Sequence, residues 1–349
     1  MRYYLHWIVL LLIAAAAAAC STSPPALVLG PTPKMVPLPD LGTGRYLGFP
    51  GGLYPAGRNV PPPSHHARGL REAARVQPLD LAGQPSPGGR YVLLSIGMSN
   101  TSQEFCSARP APTCDPGTFM GRAAADPTVN HRELAIVNGA QGGQTAASWD
   151  DPDKPNYHRI HDEVLTPLGL SELQVQVIWL KVSSATPTVS LPDPDSDAVM
   201  LLTQLGNILR ALKVRYPNLR QVFLSSRTYG GYATIRLHPE PFAYESGFAA
   251  KWVIQAQIDQ MAAGGDAVDA RAGDLNYATM APWIAWGPYL WTKGTKPRSD
   301  GLTWTRGDVE GDGIHPSGSG EGKIGALLLD FFKQSPYTQC WFLEGGTCR

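Results

Sequence analysis

The 349-residue chain carries 29 Lys plus Arg against 29 Asp plus Glu, a formal net charge of zero, and no basic cluster stands out. That balance argues against a nucleic-acid partner, which needs a basic footprint. The roughly 250 residues from 88 to 335 are ample for a single α/β domain.

Met1 to Cys20 begins with a basic Arg2 and runs into an apolar core, Trp7 to Ala19, too short to span a bilayer comfortably. It reads as an export signal. Ala17-Ala18-Ala19-Cys20-Ser21 resembles a bacterial lipobox, whose cysteine becomes the lipidated first residue; plain signal-peptidase cleavage near the alanine run is the alternative. On the lipobox reading Cys20 anchors the mature chain to a membrane, facing periplasm or cell exterior, without spanning it. Residues 21 to 87 hold Pro24-Pro25, Pro61-Pro62-Pro63 and few long apolar runs, which predicts a tether or a strap laid over the domain. The part from Pro61 to His66 predicts extended or turn-like chain. His65 and His66 read as a solvated pair, with metal binding as the rival.

From residue 88 apolar runs alternate with helical periods, the pattern of a parallel sheet covered by helices. Strands are predicted at Tyr91–Ile96, Leu134–Val137, Val175–Leu180, Val222–Leu224 and Trp283–Trp286. A short helical stretch is expected near His158 to Leu165. Asp195-Ser196-Asp197 predicts the cap of a long helix whose buried face is Val199, Leu202, Leu205, Leu209 and Leu212. A second long helix is predicted from Phe242 to Met261, closed by Gly264-Gly265, and a last one around Ile324, Leu327, Leu328 and Phe331. The predicted fold is a three-layer α/β/α sandwich around a parallel sheet of about five strands, flavodoxin-like in type, over residues 88–335. Residues 336–349 form a tail. Apart from Cys20 the chain has Cys106, Cys114, Cys340 and Cys348. An even number in an exported protein predicts disulfides, and pairing of neighbours, Cys106 with Cys114 and Cys340 with Cys348, closes two short loops; zinc is the rival.

The first strand stops at Gly97-Met98-Ser99-Asn100, which sets Ser99 at a strand's carboxyl end and a helix's start, where a nucleophile belongs. The plainer reading is a helix cap. Near the other end, Asp312-Gly313-Ile314-His315 sets a histidine three residues after a carboxylate able to orient its ring, as a general base requires. Here the rivals are an ordinary turn and a calcium loop beginning at Asp308, which lacks a glutamate at its twelfth position, Ser319.

Together these strings resemble the SGNH (GDSL-like) hydrolase superfamily, nearest its sialate O-acetylesterase and carbohydrate acetylesterase branches, over roughly residues 88 to 335. The resemblance implies a Ser99, His315, Asp312 triad. It implies an oxyanion hole from the N–H groups of Ser99 and of Gly143 in Val137-Asn138-Gly139-Ala140-Gln141-Gly142-Gly143-Gln144-Thr145, with Gly142 as alternative. The family's third block carries an asparagine; here the strand ends Lys181-Val182-Ser183-Ser184, so Ser184 or Lys181 supplies the donor or backbone groups act alone. Substrate-binding candidates are Asn100, Gln144, Lys181, Arg227 and Trp286, with Arg227 alternatively a structural arginine in its loop.

The reaction so implied is a serine esterase removing short acyl groups, O-acetyl above all, from carbohydrate, with no metal or organic cofactor. Trp283, Trp286, Tyr289, Trp291 and Trp304 read either as a wall on which sugar rings stack or as core. Other classes stay open: a glycan-binding lipoprotein without turnover, an O-acyltransferase on the same fold, and a structural envelope protein.

Overall fold

The computed structural model describes residues 34–107 and 113–348. The export signal, Cys20 and the first part of the Pro-rich segment lie outside the described residues. Lys34 to Arg349 form one compact unit.

Five strands build one parallel sheet: β1 (Tyr91–Gly97), β2 (Leu134–Asn138), β3 (Val175–Lys181), β4 (Gln221–Leu224) and β5 (Trp283–Trp286). Their order across the sheet is β2-β1-β3-β4-β5. Every residue of β1, β3, β4 and β5 is buried, as expected of strands covered on both faces, and this is why they read as largely apolar runs. The order reverses at β1, so the crevice between the carboxyl ends of β1 and β3 is the place where a doubly wound sheet takes its ligand.

Six helices matter here: α1 (Pro63–Ala73), α2 (Ser99–Phe105), α3 (Phe119–Ala125), α4 (Asp197–Arg215), α5 (Phe242–Ala262) and α6 (Gly318–Gln334). On one face Val92, Leu94, Ile178, Leu180 and Val222 pack with Leu205, Leu209 and Leu212 of α4 and with Phe248 and Ile254 of α5. On the other, Leu93, Trp179 and Phe223 pack with Phe105 of α2, Phe119 of α3, and Ile324, Leu328 and Phe332 of α6. This is the three-layer α/β/α sandwich. The predicted side-chain cap of α4 is absent: Ser196 is the N-cap but caps nothing, and the Asp197 carboxylate turns back to accept from the N–H groups of Thr188 and Val189, both at 2.8 Å.

The Pro-rich segment lies on this body. Its Tyr46 stacks on Phe248 and donates to the Glu245 carboxylate at 2.9 Å, while Leu38 and Tyr54 are buried. The part from Pro61 to His66, expected to be extended or turn-like, instead enters a helix, Pro63–Ala73, whose first turn tolerates Pro63 because a missing N–H costs nothing there. His65 is not solvated: it is 3% exposed, and its Nε2–H donates to the Ile284 carbonyl of β5 at 2.8 Å. Burial lowers its pKa to about 4. The disulfides are Cys106–Cys114 and Cys340–Cys348, the neighbour pairs expected, and mark folding in an oxidising compartment such as periplasm or cell exterior. Among the described residues no helix is long and apolar enough to cross a membrane.

Candidate active site

The site is assembled where β1 hands over to α2. Gly97 pairs with Lys181 of β3, and a Cβ on it would meet the Lys181 carbonyl oxygen at 2.3 Å. Only glycine lets the two strand ends approach so closely. Ser99 is the first helical residue; the N-cap is Met98, so the serine is not a cap and its hydroxyl is free to point elsewhere. It points at His315: Ser99 Oγ lies 2.8 Å from Nε2.

The loop before α6 holds that histidine. His315 Nδ1 lies 2.5 Å from Asp312 Oδ2, while Asp312 Oδ1 accepts from the N–H groups of Ile314 at 2.8 Å and His315 at 3.0 Å. Burial raises the Asp312 carboxyl, but the hydrogen bonds from His315 and the two backbone N–H groups outweigh it and hold its pKa below the usual carboxylate range. Gly313 makes this turn possible with φ +74°, and a Cβ there would collide with the Tyr232 carbonyl oxygen at 1.8 Å. Asn100 Nδ2 donates to the Ile314 carbonyl at 2.8 Å, tying α2 to the same loop. Asp308, the start of the calcium-like string, gives its carboxylate to Thr305, Ser319 and Lys323.

A cavity of about 220 Å³ opens beside Ser99 and His315, lined also by Gly143, Ser184, Arg227 and Leu237. Gly143 has φ +78°, and the Cβ position of Gly142 is 3.8 Å from Ser99 Cβ, so the turn after β2 lies against the serine. Gln144 lines the cavity and accepts from Asn156 Nδ2 at 2.8 Å. Ser183 and Ser184 line it too, the Ser183 hydroxyl lying 3.1 Å from the Ser184 carbonyl and 3.4 Å from His238 Nδ1.

Two of the expected site residues lie elsewhere. Lys181 is 1% exposed and ion-pairs with Glu104 of α2 at 2.5 Å, so it is neither an oxyanion donor nor a substrate ligand. Burial pushes the Lys181 ammonium down and the Glu104 carboxyl up, each against its charge, and the mutual contact opposes both. Trp286 is 4% exposed and donates its Nε1–H to the Leu53 carbonyl under the Pro-rich segment. The whole aromatic stretch, Trp283 to Trp304, is core rather than a sugar-stacking wall. Sequence reading missed His238, which is buried in the cavity wall and kept neutral by burial and by Arg227. It also missed Glu104, for which the signal was present: a lone lysine inside the apolar run of β3 requires a buried acid.

No family model matches the sequence, and no curated protein matches it. Solved structures do. One is a protein of Slackia heliotrinireducens described as an SGNH hydrolase, with 12% identity, a TM-score of 0.33, and 70% of this chain and 99% of that one covered. Another is an acetylxylan esterase of Geobacillus stearothermophilus, at 13% identity, TM-score 0.33, and 70% and 93% of the two chains covered. A family two carbohydrate esterase of Cellvibrio japonicus has 11% identity and a TM-score of 0.34, with 72% of this chain and 62% of that one covered. At such identities and TM-scores these likenesses settle neither family nor chemistry, which has to come from the site itself.

Proposed function

We propose that the chain is a serine ester hydrolase. The observation that carries this is the hydrogen-bonded series Ser99 Oγ, His315 Nε2, His315 Nδ1 and Asp312 Oδ2, whose Ser99 and His315 line one cavity at the switch point of the sheet. Ser99 Oγ attacks the ester carbonyl as His315 Nε2 takes its proton, while Asp312 holds the Nδ1–H tautomer and balances the imidazolium. The N–H groups of Ser99 and Gly143 receive the developing oxyanion. The tetrahedral species collapses, and His315 passes the proton to the departing alkoxide, leaving an acyl-serine. Water, deprotonated by His315, then frees the acid and restores Ser99.

The substrate we infer carries a short acyl group, an O-acetyl ester of a carbohydrate. A cavity of about 220 Å³ lies below the usual size of sites for larger organic ligands, which favours a small acyl group. A second groove shares Gln144 with the cavity and is lined by hydrogen-bonding side chains, among them Ser148, Lys154, Asn156 and Arg159, which suits a hydroxyl-rich chain. Lipidation at Cys20 would hold this site at a membrane surface, where the enzyme meets envelope or extracellular glycans. A glycan-binding protein without turnover is the second reading, favoured by the absent asparagine at the end of β3.

One experiment separates the two. The intact mass of the chain from residue 21 onward is measured after exposure to a fluorophosphonate, with and without Ser99→Ala. A single adduct on the parent and none on the variant is the expected result, followed by acetate release from acetylated glycans. A folded parent that takes no adduct would leave glycan binding as the reading.

A further inference from the structure

Ser99 is flanked by Met98 and Asn100, and one side chain touches both. Arg227, carried in just after β4, sets Nη1 3.2 Å from Met98 Sδ and 3.3 Å from Asn100 Oδ1. It is 5% exposed, lines the same cavity as Ser99, Gly143 and His315, and its Nε is buried with no hydrogen-bond partner among the described residues. Among the described residues no carboxylate contacts it; Glu104, Glu240 and Asp312 favour its charge only from farther off. Glu104 is held by Lys181 through both of its oxygens. Glu240 takes the N–H groups of Gly230 and Tyr244 and the Trp291 indole N–H. Asp312 is taken by His315 and two backbone donors. No Asp or Glu lines the cavity among the described residues.

Arg227 is thus a buried cation beside the two residues that flank the nucleophile, with no carboxylate of its own in contact. Such a charge is costly to bury without an anion. An anion that exists only during reaction fits that cost, since a group complementary to the transition state need not be satisfied in the resting enzyme. The end of β3 offers no other cation: Lys181 is paired away, and Ser183 and Ser184 bring no charge.

We propose that Arg227 is the third oxyanion-stabilising group of this site, standing where the strand end has no asparagine. The inference rests on the serine-hydrolase reading above. It assigns Arg227 to the reaction rather than to a carboxylate on the substrate.

The test compares the parent with R227M and R227K, using kcat and KM on the neutral ester phenyl acetate, the phosphonylation rate by intact mass, and Tm. Removing one oxyanion-stabilising donor costs about 10²–10³ in rate, so R227M is expected to lose about 10²-fold or more in kcat with KM changed less than about threefold. Tm should fall little, because the substitution removes a buried charge that no carboxylate contacts. R227K, which keeps the charge, should retain activity within about tenfold of the parent. R227M keeping more than half of kcat overturns the inference. So does a loss confined to KM on an anionic succinate half-ester with phenyl acetate unaffected, which would make Arg227 a substrate-carboxylate ligand. If R227M does not fold, R227Q takes its place with the same expectation, and unfolding of both makes the residue structural and overturns the proposal. A parent that neither hydrolyses nor takes the phosphonate overturns the hydrolase reading and this inference together, whereas an active parent isolates the failure to Arg227.

Discussion

Asp312→Asn tests the triad without disturbing the loop that carries it. The wild-type carboxylate uses Oδ1 for two backbone donors, at 2.8 and 3.0 Å, and Oδ2 for His315 Nδ1 at 2.5 Å. An asparagine keeps its carbonyl oxygen on the two N–H groups, so its NH₂ must face Nδ1. Nδ1 then has to accept, the ring proton moves to Nε2, and the nitrogen 2.8 Å from Ser99 Oγ becomes a donor that cannot take the serine proton. The expected loss is about 10⁴ in kcat, the scale of a triad carboxylate-to-amide swap, which is about 5.5 kcal/mol of barrier at 1.36 kcal/mol per decade. Stability should barely change. Asp312→Ala, by contrast, also strands two backbone N–H groups and should destabilise by about 1–3 kcal/mol. Initial rates on phenyl acetate and urea midpoints for both variants decide it. A well-folded Asp312→Asn protein within tenfold of the parent would refute this account of how His315 is oriented.

Lys181→Met leaves the Glu104 carboxyl buried without its partner and should cost about 3–5 kcal/mol, most of it recovered in the Lys181→Met/Glu104→Leu double variant; losses that simply add in urea denaturation would contradict this. His65, with its pKa lowered to about 4 from 6.5, contributes nothing above pH 6.5, where the ring is neutral in both states. As pH falls from 6.5 toward 4 the unfolded chain binds the proton first, and stability should drop by up to about 3 kcal/mol. His65→Gln should shrink the difference in urea midpoint between pH 7.5 and 4.5, and an unchanged difference would clear His65 of that role.

What could be read from the chain in advance was local. The central strands announced themselves because strands buried on both faces are largely apolar, as Tyr91–Gly97 and Val175–Lys181 are. Ser99 at a strand-to-helix junction, the Asp312-x-x-His315 spacing and the neighbour cysteine pairs are likewise strings in which the interacting groups lie close in sequence. The helix over residues 63–73 was not legible, since its proline-rich start looks the same in an extended strap and its reason to fold is packing against β5.

The fates of Lys181, Trp286 and Arg227 depended on partners far along the chain, Glu104, Leu53 and the pair Met98 and Asn100. A side chain's type states which interactions it needs, and spacing states which neighbours share its element; both are properties of the sequence. Which distant group meets the need is decided by the sheet order. By running β2-β1-β3-β4-β5, the sheet brings the ends of β1, β3 and β4 together, so one basic residue is paired away beneath the serine and another is left facing the cavity.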